Sequence, residues 1–304
     1  MNVIGNRVIY LVISAVLVVA SLGVMVVKGF NFGVDFTGGS LLERGLPGAV
    51  SVPEVQEALA APELSQYELG GSVIQPLEGA VEGQTVILIR TKAFEDQGPI
   101  AAIDEALEAR FGEVSVRRTE VVGPVIGQEL VRQAILALLI AGAGILVYIT
   151  FRFEYRFGIA GVISLVQAVL ITLGVVSLLG REINSPFVAA ILTVVGYAIN
   201  DTIVIFDRIR ENLQIRRREP LMELVNVSIR QSLSRSINTG LTTLFVLVAL
   251  YVFGGSSIKD FTLTLIVGVV VGAFSSIFVA SPLLYVLRSI GEGREPARTA
   301  ASSK

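Results

Sequence analysis

Six apolar runs, each near or above the length needed to cross a bilayer, constrain this chain more than any other feature. The first extends from Val8 to Val27, interrupted only by Ser14, Ser21 and Gly23, enough to cross about 30 Å of hydrocarbon. Five more are centred on Ile135 to Ile149, Gly158 to Leu179, Pro186 to Phe206, Ile237 to Phe253 and Phe261 to Leu287. Lipid offers backbone polar groups no partners, so such runs are expected to be helices. The first is expected to stay as a span. A cleaved leader would have an apolar core of about 7 to 15 residues and an Ala-x-Ala-like site, whereas this run ends at Lys28-Gly29-Phe30.

Charged residues supply only 16% of the 304, against roughly 25% in soluble chains, so lipid is one of the solvents. The chain has neither Cys nor His. Disulfides, thiolate nucleophiles, imidazole bases, His-ligated haem and ordinary zinc sites are thereby excluded. No phosphate-binding glycine loop is present, so nucleotide hydrolysis has no seat. The expectation is a non-enzyme with no cofactor and no metal.

Basic residues fix the expected topology. Arg208, Arg210, Arg216, Arg217, Arg218, Arg230 and Arg235 lie between the fourth and fifth runs, and Arg288, Arg294, Arg298 and Lys304 follow the sixth. Arg7, Arg152 and Arg156 fall on the same side, while Lys28, Arg132, Arg181 and Lys259 fall on the other. Cytoplasmic loops carry the Lys and Arg excess. Both termini and an arginine-rich loop over 207–236 are therefore expected in the cytoplasm. The organisation read from this is a first span over 1–28, an extracytoplasmic domain over 29–130, spans two to six over 131–290, and a cytoplasmic tail over 291–304. Arg216-Arg217-Arg218 is read as topology signal, with no nucleic-acid partner.

The outer segment alternates in type. Ser40 to Arg44 reads as a strand, and Ser51-Val52-Pro53-Glu54 is a capping box opening a helix through Ala60. Ser72 to Leu77 and Thr85 to Thr91 read as strands. Pro99 opens a second helix with Ile100, Ile103, Leu107 and Phe111 on one face, ended by Gly112, and Val114 to Val122 is a last strand. This β-α-β-β-α-β order is that of a ferredoxin-like α+β domain. The segment from Lys28 to Glu129 has 16 acids and 7 bases, read as a solvated surface. Glycines in Phe32 to Gly39 suit sharp turns between span and domain.

Asp201 is the one charge far from both ends of a span. At 1.5 Å per residue it lies about 22 Å beyond Pro186, past the midplane on the cytoplasmic side. An ionised Asp at such depth costs about 3 kcal/mol, so a partner or a purpose is expected. Tyr197, Asn200 and Asp201 share one sector of the helix. Arg235, at the mouth of the fifth span, is the expected ion-pair partner, within a polar stripe of Ser232, Arg235, Asn238, Thr239 and Thr242. Gly240 allows close approach, and Gly268 with Gly272 forms a small-xxx-small packing motif in the sixth span. Two readings of the Asp201 group stay open here, an inert helix lock and a proton-coupling site.

The runs Phe32 to Gly39, Gly196-Tyr197 with Asn200-Asp201-Thr202, Phe206 to Asn212, Ser236 to Gly240, and Gly254-Gly255 with Asp260-Phe261 resemble the SecD/SecF protein-export family, related to the RND transporters. The resemblance is to the SecF side of that family and covers nearly the whole chain. It implies an RND-like bundle of six transmembrane helices in the bacterial inner membrane. It also implies proton-driven assistance to preprotein translocation, with SecD, the SecYEG translocon, the translocating preprotein and membrane lipid as partners. Asp201 and Arg235 match the family's proton-coupling positions, and a further carboxylate comes from SecD. The alternative is an RND-like proton-coupled exporter of small molecules or lipids.

Overall fold

A computed structural model describes residues 2–77, 84–94 and 96–291. Among these, six helices are long and apolar enough to span a membrane: Arg7–Lys28, Pro124–Arg152, Tyr155–Leu178, Ser185–Ile215, Leu221–Phe253 and Ile258–Ile290. Of the tail read over 291–304, all beyond Gly291 lies outside the described residues.

The expected loop over 207–236 requires correction. The fourth helix continues to Ile215 and the fifth begins at Leu221, leaving a turn over residues 216–220. The arginines that disguise this segment lie on solvent faces, while Leu224, Val225 and Ile229 bury a shared face with Ile4, Phe206 and Ile209. Periodicity near 3.6 therefore persists beneath the charge. Asn226 fastens the N-terminus to this extension, accepting from Ile4 N–H at 3.0 Å and donating to Asn2 Oδ1 at 2.9 Å.

Two compact units are present. One comprises Met1–Asn31, Ala137–Glu182 and the described residues from Pro186 onward; the other comprises Phe32–Leu136 with Ile183–Ser185. About half the residues in the apolar stretches of the sixth and third spans are buried, against few in the second. The third and sixth spans thus form the interior of this unit. Phe153, Phe157 and Phe206 pack edge to face or stacked within 6.2 Å of one another at one end of this core, in the geometry aromatic pairs prefer.

The second unit holds a four-stranded antiparallel sheet of β1 (Gly39–Pro47), β2 (Val73–Leu77), β3 (Gln84–Thr91) and β4 (Ser115–Val122), in spatial order 2-3-1-4. Helices Val52–Leu59 and Gly98–Phe111 complete the ferredoxin-like β-α-β-β-α-β unit. Leu42, Leu46, Ile87 and Ile89 from the sheet meet Val55, Ile103 and Leu107 from the helices in its core. The capping box forms, with Ser51 N–H donating to Glu54 Oε2 at 2.8 Å. Two short 3-10 turns, Pro62–Tyr67 and Leu69–Gly71, fill the passage to β2. The first strand runs three residues past the expected Arg44, to Pro47.

Arg44 is fully buried on β1, and its guanidinium is bidentate to Asp104 at 2.6 and 3.0 Å. The same group donates to Arg118 O and Thr119 Oγ1. A charge can be held inside a small domain only with such complete pairing. Gly39, at φ 131°, sits where a Cβ would come 2.7 Å from Thr91 O, so the turn needs glycine on both counts.

Candidate functional site

The site is built where the fourth span meets the fifth and the sixth. Ser232, Ser236 and Gly240, spaced four apart, are buried on one face of the fifth helix. These small residues form the ridge that admits the fourth span. Ser236 Oγ donates to Asp201 Oδ1 at 2.5 Å. About one turn away, Gly240 lies against the Tyr197 hydroxyl, which would stand 3.5 Å from an added Cβ.

Asp201 is half-buried; Ser276 as well as Ser236 lies near its carboxylate, and the second oxygen, Oδ2, is buried without a well-formed hydrogen bond. The expected ion pair with Arg235 is not formed in this structure, where the neighbouring Ser236 engages the carboxylate instead. The reason is helical phase: adjacent residues point about 100° apart, so Arg235 cannot share the buried ridge with Ser236. Arg235 is exposed and lines a cavity at the arginine-rich end of the two helices.

The remaining expected residues divide the same way. Asn200, Asn238, Thr239 and Thr242 are exposed, along with Arg235. At Gly196, on the same sector of the fourth span, an added Cβ would meet nothing within 4 Å. A polar stripe at membrane depth is costly against hydrocarbon, so this face needs a covering of its own polarity.

On its other side the fourth span is locked to the sixth. An added Cβ at Gly268 would overlap Val194, and one at Gly272 would come 3.0 Å from Ala198 Cβ. The two glycines therefore form the helix contact their spacing suggests, and it lies within this chain. One turn further, Thr202 Oγ1 and Ser276 Oγ share a hydrogen bond of 2.8 Å, and Ser276 donates to Ala198 O at 3.2 Å. Ser276 opens a single π-helical turn over Ser276–Ala280, an irregularity frequent at functional sites.

Sequence reasoning passed over Ser236, Thr202 and Ser276 as site residues. The signal for Ser236 was its register with Ser232 and Gly240, and for Ser276 its register with Gly268 and Gly272. Among the described residues, no cluster of three or more acids is placed to hold a metal ion.

Comparisons with known proteins match most of the chain. A family model described as "Protein export membrane protein SecD/SecF, C-terminal" matches residues 102–289, and a second, the "SecD/SecF GG Motif", matches residues 23–43. A protein translocase subunit SecF from Desulfurispirillum indicum is 44% identical over 285 residues, 91% of this chain and 88% of the relative. One from Sebaldella termitidis is 39% identical over 284 residues, 93% of this chain and 90% of the relative. The crystal structure of SecDF, a translocon-associated membrane protein from Thermus thermophilus, matches with a TM-score of 0.82 and 37% identity. That match covers 95% of this chain and 38% of the SecDF chain.

Proposed function

The chain belongs to the SecD/SecF family of protein-export membrane proteins, and we propose that within this role it couples proton movement at Asp201 to preprotein translocation. Family membership makes it an accessory subunit of Sec protein export and displaces the exporter alternative. The observation that carries the coupling reading is the state of the Asp201 carboxylate. One oxygen is held by Ser236, and the other is buried beside Ser276 without a well-formed hydrogen bond.

Two states follow. With Oδ2 protonated, Asp201 is neutral and rests on Ser236, while Arg235 stays in its cavity. With the proton gone, a bare carboxylate draws the Arg235 guanidinium toward it and the fourth and fifth helices shift. Charge movement across the membrane supplies about 2.3 kcal/mol per 100 mV, enough to bias two conformations that differ by a few kcal/mol.

The exposed polar face of Asn200, Arg235, Asn238 and Thr239 is the surface on which a SecD-type partner packs. The fused SecDF relative from Thermus thermophilus, of which this chain matches 39%, supports that assignment. SecYEG and the translocating preprotein complete the set of partners. Both termini are cytoplasmic and the ferredoxin-like domain extracytoplasmic, as the arginine distribution implies.

The test uses membrane vesicles carrying the complete translocase, with preprotein completion measured with and without a proton gradient. Asp201→Asn and Arg235→Met should assemble normally and lose the gradient-dependent stimulation. An assembled Asp201→Asn complex that responds like wild type would return the site to an inert helix lock.

A further inference from the structure

The second and third spans are joined by a short turn at Phe153-Glu154. They meet where Gly158 faces Ile149, since an added Cβ at Gly158 would stand 3.4 Å from Ile149 Cγ2. Above that contact lies a groove of about 320 Å³, lined by Leu146, Ile149, Tyr155, Gly158, Ile159 and Ile163 among others. Ile149 is buried and forms the floor, while Leu146, Ile159 and Ile163 are exposed at the rims. The groove therefore opens on the outside of the bundle. From Tyr155 to Ile163 it follows the third span for about 12 Å. Its walls are apolar, with the Thr150 hydroxyl turned back to donate to Leu146 O at 2.7 Å.

The end of the groove nearest the turn is polar. Tyr155 lines it, and its hydroxyl accepts from Arg156 Nε at 3.1 Å, with the guanidinium 5.5 Å from the ring centroid. Three other arginines near the turn face carboxylates: Arg152 and Arg210 both pair with Asp207, and Arg288 lies 3.8 Å from Glu154. Among the described residues Arg156 makes no such pair, which leaves its two Nη groups for an outside acceptor. A guanidinium stacked on an aromatic ring is already oriented, and its fork matches a phosphate group.

We propose that this groove binds one anionic phospholipid, with the headgroup phosphate on Arg156 and the Tyr155 hydroxyl and an acyl chain laid along Ile149, Ile159 and Ile163. Both helices are long and apolar enough to span a membrane, so the medium over the groove is hydrocarbon. An apolar furrow there loses packing contacts unless a chain fills it, and it gives water no partners. Charge selects the lipid. A single unpaired guanidinium at the polar end favours a net negative headgroup, as basic pockets between spans do on the cytoplasmic side. The site is separate from Asp201 and does not depend on the proton-coupling reading.

A chain without tryptophan allows a direct test by fluorescence. The full-length Ile163→Trp variant is reconstituted into liposomes that mix phosphatidylglycerol and phosphatidylcholine, with one or the other lipid brominated in its acyl chains, and quenching is compared. Val16→Trp, at an exposed position on the first span, reports ordinary lipid contact. Brominated phosphatidylglycerol should be preferred about fivefold at Ile163→Trp, the equivalent of about 1 kcal/mol for one basic residue at an anionic headgroup. No preference should appear at Val16→Trp. Adding Arg156→Gln should abolish the preference, and Arg156→Lys should retain it. Leu146→Trp, on the opposite rim, should repeat the result and replaces Ile163→Trp if that variant does not fold. Equal quenching by the two lipids would reduce Tyr155 and Arg156 to an interfacial anchor and overturn the proposal. A preference that survives Arg156→Gln would do the same, as would weak quenching by both lipids at both rims, which would mean that protein covers the groove.

Discussion

Ser236 and Asp201, thirty-five residues apart in sequence, are joined by a hydrogen bond from the serine hydroxyl to one carboxylate oxygen. A hydrogen bond to a neutral carboxyl contributes about 0.5 to 1.5 kcal/mol, so Ser236 helps set where that group points. Ser236→Ala should leave assembly intact and reduce gradient-stimulated export roughly tenfold, the kinetic equivalent of about 1.4 kcal/mol. Ser236→Thr, which keeps the hydroxyl, should restore most of it. Equal activity of the alanine and threonine variants would remove Ser236 from the account.

The three packing glycines should rank by the space around them. Gly240→Ala places its Cβ at an ordinary 3.5 Å from the Tyr197 hydroxyl, Gly272→Ala places it at a tight 3.0 Å from Ala198, and Gly268→Ala overlaps Val194. Overpacking costs about 1 to 3 kcal/mol. Thermal unfolding of the purified complex in detergent should therefore fall least for Gly240→Ala and most for Gly268→Ala. The reverse order would contradict the fourth-to-sixth span contact.

Inside the ferredoxin-like unit, Asp104→Ala would leave the fully buried Arg44 without its bidentate partner. Removing one member of such a pair costs about 3 kcal/mol or more. Hydrogen exchange across β1 and helix Gly98–Phe111 should accelerate strongly, and the double variant Arg44→Met with Asp104→Leu should recover much of the protection. Unchanged exchange in the single variant would show that the pair carries no stability.

The capping box carries a pH dependence. The Ser51 hydroxyl and then its backbone N–H hold the Glu54 carboxyl below its ordinary value of 4.5. A carboxyl with a lowered value in the folded state stabilises above its unfolded value, and that contribution is lost as pH falls through the folded one. Protection of helix Val52–Leu59, corrected for intrinsic exchange, should thus fall under acid conditions below the glutamate range. Glu54→Gln should remove that acid dependence. A variant with the wild-type acid profile would place the pH sensitivity elsewhere.

Much of this molecule is legible in its residues because the signals are local. Apolar run length sets the spans, Ser51 with Glu54 opens a helix, and the strand and helix order of the ferredoxin-like unit follows from periodicity. What resists reading is direction around a helix. Asp201 stands out by its charge, yet its neighbour on the fifth span follows from rotation of the buried ridge, which puts Ser236 inward and Arg235 outward. Charge density likewise hides the helical extensions at residues 207–215 and 221–236, where Leu224, Val225 and Ile229 carry the packing. Burial of Arg44 depends on an Asp sixty residues away, a pairing no local pattern announces.

If Asp201 carries the coupling proton, proton flux through the reconstituted complex depends on it. The purified complex with its SecD-type partner is reconstituted into liposomes enclosing a pH-sensitive dye, and a membrane potential is imposed. Wild type should change the internal pH in response to the potential, and Asp201→Asn, reconstituted to the same density, should show only the leak of empty liposomes. Proton flux through the Asp201→Asn complex at the wild-type rate would contradict the account.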